Sequence, residues 1–185
     1  MKPNSPYSAT KAAGDLLALS YFTTYDVPVT VVRSSNNFGP FQYPEKAIPL
    51  FITNLLTEKK IPLYGDGGNV RDWLYVGDNC AGIDVIANYG EKGKIYNLGG
   101  NNCLSNLELT AAILSKLDKG KESIEFVNDR PGHDRRYALN SEKARELGWE
   151  TGSTFEARLK ETISWYKENV SWWKSIKDNA EIIEW

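Results

Sequence analysis

Pro28-Val29-Thr30-Val31-Val32-Arg33-Ser34-Ser35-Asn36-Asn37-Phe38-Gly39-Pro40 is the stretch that decides the fold class of this 185-residue chain. Residues 29–32 form a short, β-branched, nearly continuous apolar run, the pattern of a strand buried on both faces of a parallel sheet. The run stops at Asn36-Asn37-Phe38-Gly39-Pro40, which has the composition of a loop. Open parallel sheets bind ligands beyond the carboxyl ends of their strands, so Ser35, Asn36 and Asn37 are placed to hydrogen-bond one. The same three residues also suit a simple polar turn, because Asn tolerates unusual backbone angles.

Working outward, Ser5 can cap a helix that opens on Pro6 and runs to about Tyr25, with Leu16, Leu17, Leu19, Tyr21 and Phe22 as its apolar face. Downstream, the patterns predict helix over 47–58, strand over 61–64, a glycine-rich turn at 65–68 and strand over 72–76. Asp78 then caps a helix to about Tyr89, followed by strand over 94–98, helix over 106–116 and strand over 123–127. Helices over 141–147 and 155–169 close the series. Strand and helix alternate almost throughout, which makes the class α/β. Residues 171–185 form an aromatic tail whose basic face is too thin for a membrane anchor, so docking on its own domain or on a sister subunit is expected.

A hydrophobic content of 41% with six tryptophans predicts a folded globule. The net charge of -2 supplies no global field for gripping nucleic acid, so any anion must be held by a local basic cluster. No run approaches the roughly 20 apolar residues needed to cross a bilayer. Cys80 and Cys103 match no metal spacing, and two buried free thiols in a cytoplasmic protein are expected.

Three constellations carry chemistry. Tyr7 and Lys11 are four apart and share a helix face, where a fixed ammonium favours phenolate and can turn a tyrosine into a general acid or base. The same spacing is also common on solvated helix faces. Arg71 follows the turn Gly65-Asp66-Gly67-Gly68, and a planar guanidinium matches phosphate oxygens; an ion pair with the adjacent Asp72 is the alternative. Asp129-Arg130-Pro131-Gly132-His133-Asp134-Arg135-Arg136-Tyr137 packs three arginines and the chain's one histidine around a turn. It reads as an anion site, or as a solvated loop with Arg135 and Arg136 paired to Asp134.

Together, the segments at 5–11, 34–40, 44–46, 71–76, 96–100 and 129–137 resemble, in this order, the C-terminal half of the dTDP-glucose 4,6-dehydratases. These belong to the NAD-dependent epimerase/dehydratase group of extended short-chain dehydrogenase/reductases. Arg71-Asp72-Trp73 and the 130–136 run favour a dehydratase over the related epimerases and decarboxylases. The resemblance implies that Tyr7 is the base at the sugar 4-hydroxyl and that Lys11 is its partner at the nicotinamide ribose, with Asn37 at the NAD cofactor. It implies further that Asn36, Lys46 and Ala47 line the sugar nucleotide, and that Pro62, Leu63 and Tyr64 hold the thymidine base. Arg71, Asn106, Arg130 and His133 would grip ribose and diphosphate. Its reaction is oxidation at C4, loss of water across C5 and C6, and hydride return to C6.

The glycine-rich dinucleotide fingerprint and the Thr-Asp-Glu triplet of that family are not found in these residues. The expectation is therefore a partial Rossmann-type fold lacking its N-terminal dinucleotide-binding strands, inactive by itself. Residues 1–40 would be a remnant of the NAD-binding domain, 41–170 the sugar-nucleotide portion and 171–185 the tail. A soluble homodimer is expected, with dTDP-glucose as partner and neither nucleic acid nor membrane. The alternatives are another sugar-nucleotide epimerase or decarboxylase, or a non-catalytic binding module.

Overall fold

The computed structural model describes residues 3–179. In chain order the elements are α1 (Pro6–Tyr25), β1 (Val31–Ser34), β2 (Asn36–Phe38), α2 (Ala47–Leu56), β3 (Ile61–Tyr64), β4 (Val70–Tyr75), α3 (Val76–Tyr89), β5 (Ile95–Leu98), β6 (Cys103–Ser105), α4 (Asn106–Lys116), β7 (Ile124–Val127), β8 (Arg136–Tyr137), α5 (Glu142–Glu146), α6 (Phe155–Glu168) and α7 (Val170–Asn179). The α/β expectation holds.

The Ser5 hydroxyl accepts from the Ser8 amide at 3.2 Å, and Pro6 opens α1 with its φ already set for a helix. No residue of α1 is buried. The helix is moored by Asp15, which accepts from Arg33 at 2.7 Å, and by Phe22 lying over Gly93. A Cβ on Gly93 would come within 2.3 Å of that ring, and its φ of 76 is in the left-handed region, so only glycine serves here.

Among the described residues three sheets, two of them parallel pairs and one mixed, position the rest. β1 pairs in parallel with β5, from Val31 opposite Ile95 to Ser34 opposite Leu98. Only Val31 of β1 is buried; Val32 and Arg33 are half-buried and Ser34 is exposed, so burial on both faces is not met. Among the described residues β5 is the one strand beside β1, and the α1 above it contributes no buried residue. The extended chain does not stop at Asn36 as expected. Ser35 donates to the Leu98 carbonyl at 2.8 Å, and β2 then pairs in parallel with Trp73, Leu74 and Tyr75 of β4. Burial of Phe38 and a ready ladder outweigh the turn preference of Asn-Asn.

β4 also pairs antiparallel with β6 and parallel with β8, both at Val70 and Arg71, while β3 and β7 form a separate parallel pair. A capping box at Ser105 and Glu108 starts α4. The start of α3 differs from expectation. Tyr75 occupies the cap position, and Asp78 lies in the first turn, where its carboxylate suits the positive helix end and accepts from the Gly152 amide at 3.1 Å.

The larger core gathers Phe38, Trp73, α2, α4 and α6 around Phe51, Ile52, Ile113, Leu159 and Tyr166. Trp173 of α7 closes it, 1% exposed and donating from Nε1 to the Tyr166 carbonyl at 2.7 Å. The aromatic segment is thus a core element as far as Asn179; the rest of the predicted tail, 180–185, lies outside the described residues. A second cluster joins Leu74, Ile86, Tyr96, Leu98, Ala144 and Trp149. Both cysteines are free, as expected, but exposed where burial was expected. Cys80 is on the outer side of α3 and Cys103 begins the short β6. No described helix is long and apolar enough to cross a membrane.

Candidate functional site

β4 carries Arg71 between β6 and β8, and the residue is only 7% exposed. Its Nη1 donates to the Val70 carbonyl at 2.7 Å, and its guanidinium carbon lies 4.6 Å from the centre of the Tyr137 ring. That is a cation–π contact in a desolvated setting. Among the described residues no carboxylate pairs with Arg71. Asp72 does not, because successive strand residues point to opposite faces; its Oδ1 accepts from the Asn102 amide at 2.8 Å. The ion-pair alternative for Arg71 is therefore set aside. A buried cation without a counter-ion is costly, which makes the position ready for an external anion.

Tyr137 links this arginine to the start of β2. Its hydroxyl donates to Asn36 Oδ1. Partial desolvation raises the phenol pKa, against the opposing charge of Arg71. Next to Asn36, Asn37 donates to the Ser35 carbonyl at 3.1 Å, while Asn37 Oδ1 and Ser35 Oγ are buried without partners.

The loop between β7 and β8 forms a second group. Asp129 Oδ1 sits 2.6 Å from His133 Nδ1 and accepts from the Arg130 amide at 2.9 Å. The bond to His133 is the main reason that the Asp129 carboxyl is held below its ordinary pKa. Tyr64, at the end of β3, meets the His133 ring edge-on with centroids 6.3 Å apart. Arg135 does not form the pair with Asp134 that the alternative reading of this run has. It grips Asp66 of the glycine-rich turn with both terminal nitrogens, at 2.7 and 3.0 Å, and pulls that carboxyl down to about 2. Asp134 Oδ1 instead accepts from Asn4 at 2.9 Å, tying the entrance of α1 to this loop.

The remaining predicted residues surround these two groups or stand on their own elements. Asn106 opens α4, and its amide donates to the Asn69 carbonyl at 3.0 Å, beside Arg135. On β3, Pro62 is half-buried and Leu63 is 1% exposed, so what Leu63 offers a ligand is backbone. Lys46 occupies the position just ahead of Ala47 at the start of α2, without a side-chain capping bond, and pairs with Glu45 at 2.6 Å on an exposed surface. Arg130 is exposed. Tyr7, 71% exposed, and Lys11 share the open face of α1. The structure thus joins Asn36 to Arg71, and Tyr64 to His133. Sequence reasoning missed Tyr137, which makes the first of these joints, and Asp129, which holds His133. The signal available was their place at the two ends of the 129–137 run.

Chemically, the arrangement is a turn and a loop supplying arginine, histidine and asparagine donors beside the carboxyl end of parallel strands. Among the described residues no cluster suits a metal ion. A family model described as GDP-mannose 4,6 dehydratase matches residues 1–162. The chain is 50% identical over 176 residues to a dTDP-glucose 4,6-dehydratase of Streptomyces antibioticus, covering 95% of this chain and 52% of that protein. It is also similar to the crystal structure of a dTDP-glucose 4,6-dehydratase from Bacillus anthracis in complex with NAD (54% identity, TM-score 0.91, 95% of this chain and 56% of that one). A further dehydratase of that name, from Streptomyces venezuelae with NAD and a second ligand bound, aligns with TM-score 0.93 at 47% identity over 95% of this chain and 55% of the other. A UDP-glucose 4-epimerase from Thermotoga maritima is more distant, at 26% identity and TM-score 0.86 over 91% of this chain and 55% of the other. The chain spans about half the length of the curated relatives it matches. With the family model matching residues 1–162, from α1 into α6, the chain belongs to the GDP-mannose 4,6 dehydratase family.

Proposed function

We propose that this chain is the sugar-nucleotide-binding part of an NAD-dependent dTDP-glucose 4,6-dehydratase, which converts its substrate to a 4-keto-6-deoxy sugar nucleotide. The observation that carries the reading is Arg71: a nearly buried guanidinium that no carboxylate among the described residues pairs with, a setting that favours an external anion such as a diphosphate. Arg130 and His133 extend that cationic surface, Tyr64 offers an aromatic face to the thymine, and Asn36, Lys46 and Ala47 line the sugar. Asn106 adds a polar side chain at the start of α4, where the helix dipole favours an anion.

Tyr7 removes the proton of the sugar 4-hydroxyl, and Lys11, on the same helix face, would hold the nicotinamide ribose. NAD, when bound, supplies hydride acceptance and return. The residues present fit it in part: Tyr7 and Lys11 are open on one helix face, and Asn37 Oδ1 and Ser35 Oγ are buried polar atoms without partners. The dinucleotide-cradling glycine loop and the carboxylates that would move protons in the water-loss step are not among these 185 residues. We place the protein in the cytoplasm, in keeping with two free thiols. We also infer a homodimer, since Leu16, Leu17 and Tyr21 leave α1 an uncovered apolar face.

Calorimetric titration with dTDP-glucose tests the proposal. Saturable binding, weaker for UDP-glucose, is expected; no heat from dTDP-glucose at millimolar concentration overturns it.

A further inference from the structure

We infer that Tyr137 is a positioning residue that couples the two halves of the sugar-nucleotide site, its ring setting the Arg71 guanidinium for the diphosphate and its hydroxyl setting Asn36 for the sugar. The inference rests on the binding role proposed above.

Tyr137 is one of just two residues in β8, and pairing with β4 brings that strand beside Arg71. One aromatic side chain then makes two contacts of different chemistry. The face of the ring lies 4.6 Å from the guanidinium carbon of Arg71, and the hydroxyl donates to Asn36 Oδ1 on β2. The arginine's other contact is the carbonyl of its neighbour Val70, at 2.7 Å. Its long side chain has many rotamers, and a flat ring packed on one side leaves the planar fork fewer to choose from. For Asn36, the acceptor oxygen is taken by Tyr137, which fixes the amide orientation and leaves its NH2 group to donate to a ligand.

Two substitutions separate the two contacts. Tyr137→Phe keeps the ring over Arg71 and removes the bond to Asn36; Tyr137→Leu removes both. Calorimetry is run with dTDP-glucose and with dTDP, which has the diphosphate and lacks the sugar, alongside thermal unfolding of each variant. Tyr137→Phe should weaken dTDP-glucose by about fivefold and leave dTDP unchanged. Tyr137→Leu should weaken dTDP as well, by roughly three- to tenfold. The double variant Asn36→Ala/Tyr137→Phe should lose no more dTDP-glucose affinity than Asn36→Ala. A merely structural role for Tyr137 predicts losses that follow the unfolding temperature and are equal for the two ligands, and that result overturns the inference. Wild-type affinity for both ligands kept by Tyr137→Leu overturns it too. Failure of the unsubstituted chain to bind either ligand overturns the proposed function, and the inference with it.

Discussion

His133 Nδ1 and Asp129 Oδ1 lie 2.6 Å apart in the loop that joins β7 to β8, leaving Nε2 as the nitrogen that His133 can turn toward a ligand. Asp129 thereby fixes the orientation of the His133 ring.

Acid should unlatch this region before it unfolds the core. The carboxyls of Asp129 and Asp66 are both depressed, by His133 and Arg135 respectively. A group whose folded pKa is lowered stabilises the folded form above its unfolded value and loses that contribution as pH falls through the folded one. The window therefore opens near the ordinary carboxylate value, about pH 4, and for Asp66 reaches down to about 2. Hydrogen exchange of residues 65–69 and 129–137 should rise across it. In Asp66→Asn the exchange should already be raised at pH 6, and a flat profile in the unsubstituted chain counts against the latch.

Arg71→Ala should cost about 1.5–3 kcal/mol of dTDP-glucose binding, the range for hydrogen bonds to a charged group. Calorimetry measures it directly. Unchanged affinity together with a lowered unfolding temperature assigns the arginine to packing under Tyr137 instead.

Trp173→Ala should destabilise the fold by about 3–5 kcal/mol, because it empties a fully buried site and frees the Tyr166 carbonyl. Chemical denaturation of the variant checks this. A loss under about 1 kcal/mol contradicts the placement of α7 in the core.

NAD should bind this 185-residue polypeptide weakly, since no glycine-rich loop in it can cradle a pyrophosphate. Micromolar affinity by calorimetry, or formation of a keto sugar by the purified polypeptide, overturns that expectation.

The polypeptide should also self-associate through α1, where Leu16 and Leu17 are 58% and 60% exposed and Gly14 faces open space. Each such side chain hidden is worth roughly 1.5–3 kcal/mol. Sedimentation at micromolar concentration that shows a monomer contradicts it.

What the sequence made legible follows from how local each signal is. The Ser5-Pro6 start of α1, the Ala47 start of α2 and the strand Ile61–Tyr64 are written in neighbouring residues, through capping, fixed φ and apolar runs. Three short strands were not. Asn36–Phe38 has turn-forming asparagines, and Cys103–Ser105 and Arg136–Tyr137 are too brief for an alternating pattern; each exists because β4 offers it a ladder. The same distinction holds in the site. The residue types of the 129–137 run announced an anion site, but the partner of Arg135 is 69 positions away at Asp66, and that of Tyr137 is 101 positions away at Asn36. Nothing local to Arg135 favours Asp66 over the adjacent Asp134, and only the fold brings the glycine turn to it.

The most direct test of the account is a crystal structure of this chain with dTDP-glucose bound. The account predicts the diphosphate at the Arg71 guanidinium, with the thymine beside Tyr64 and the sugar toward Asn36. A ligand bound elsewhere, with Arg71 still covered by Tyr137 and no phosphate oxygen within hydrogen-bonding distance of it, contradicts the account.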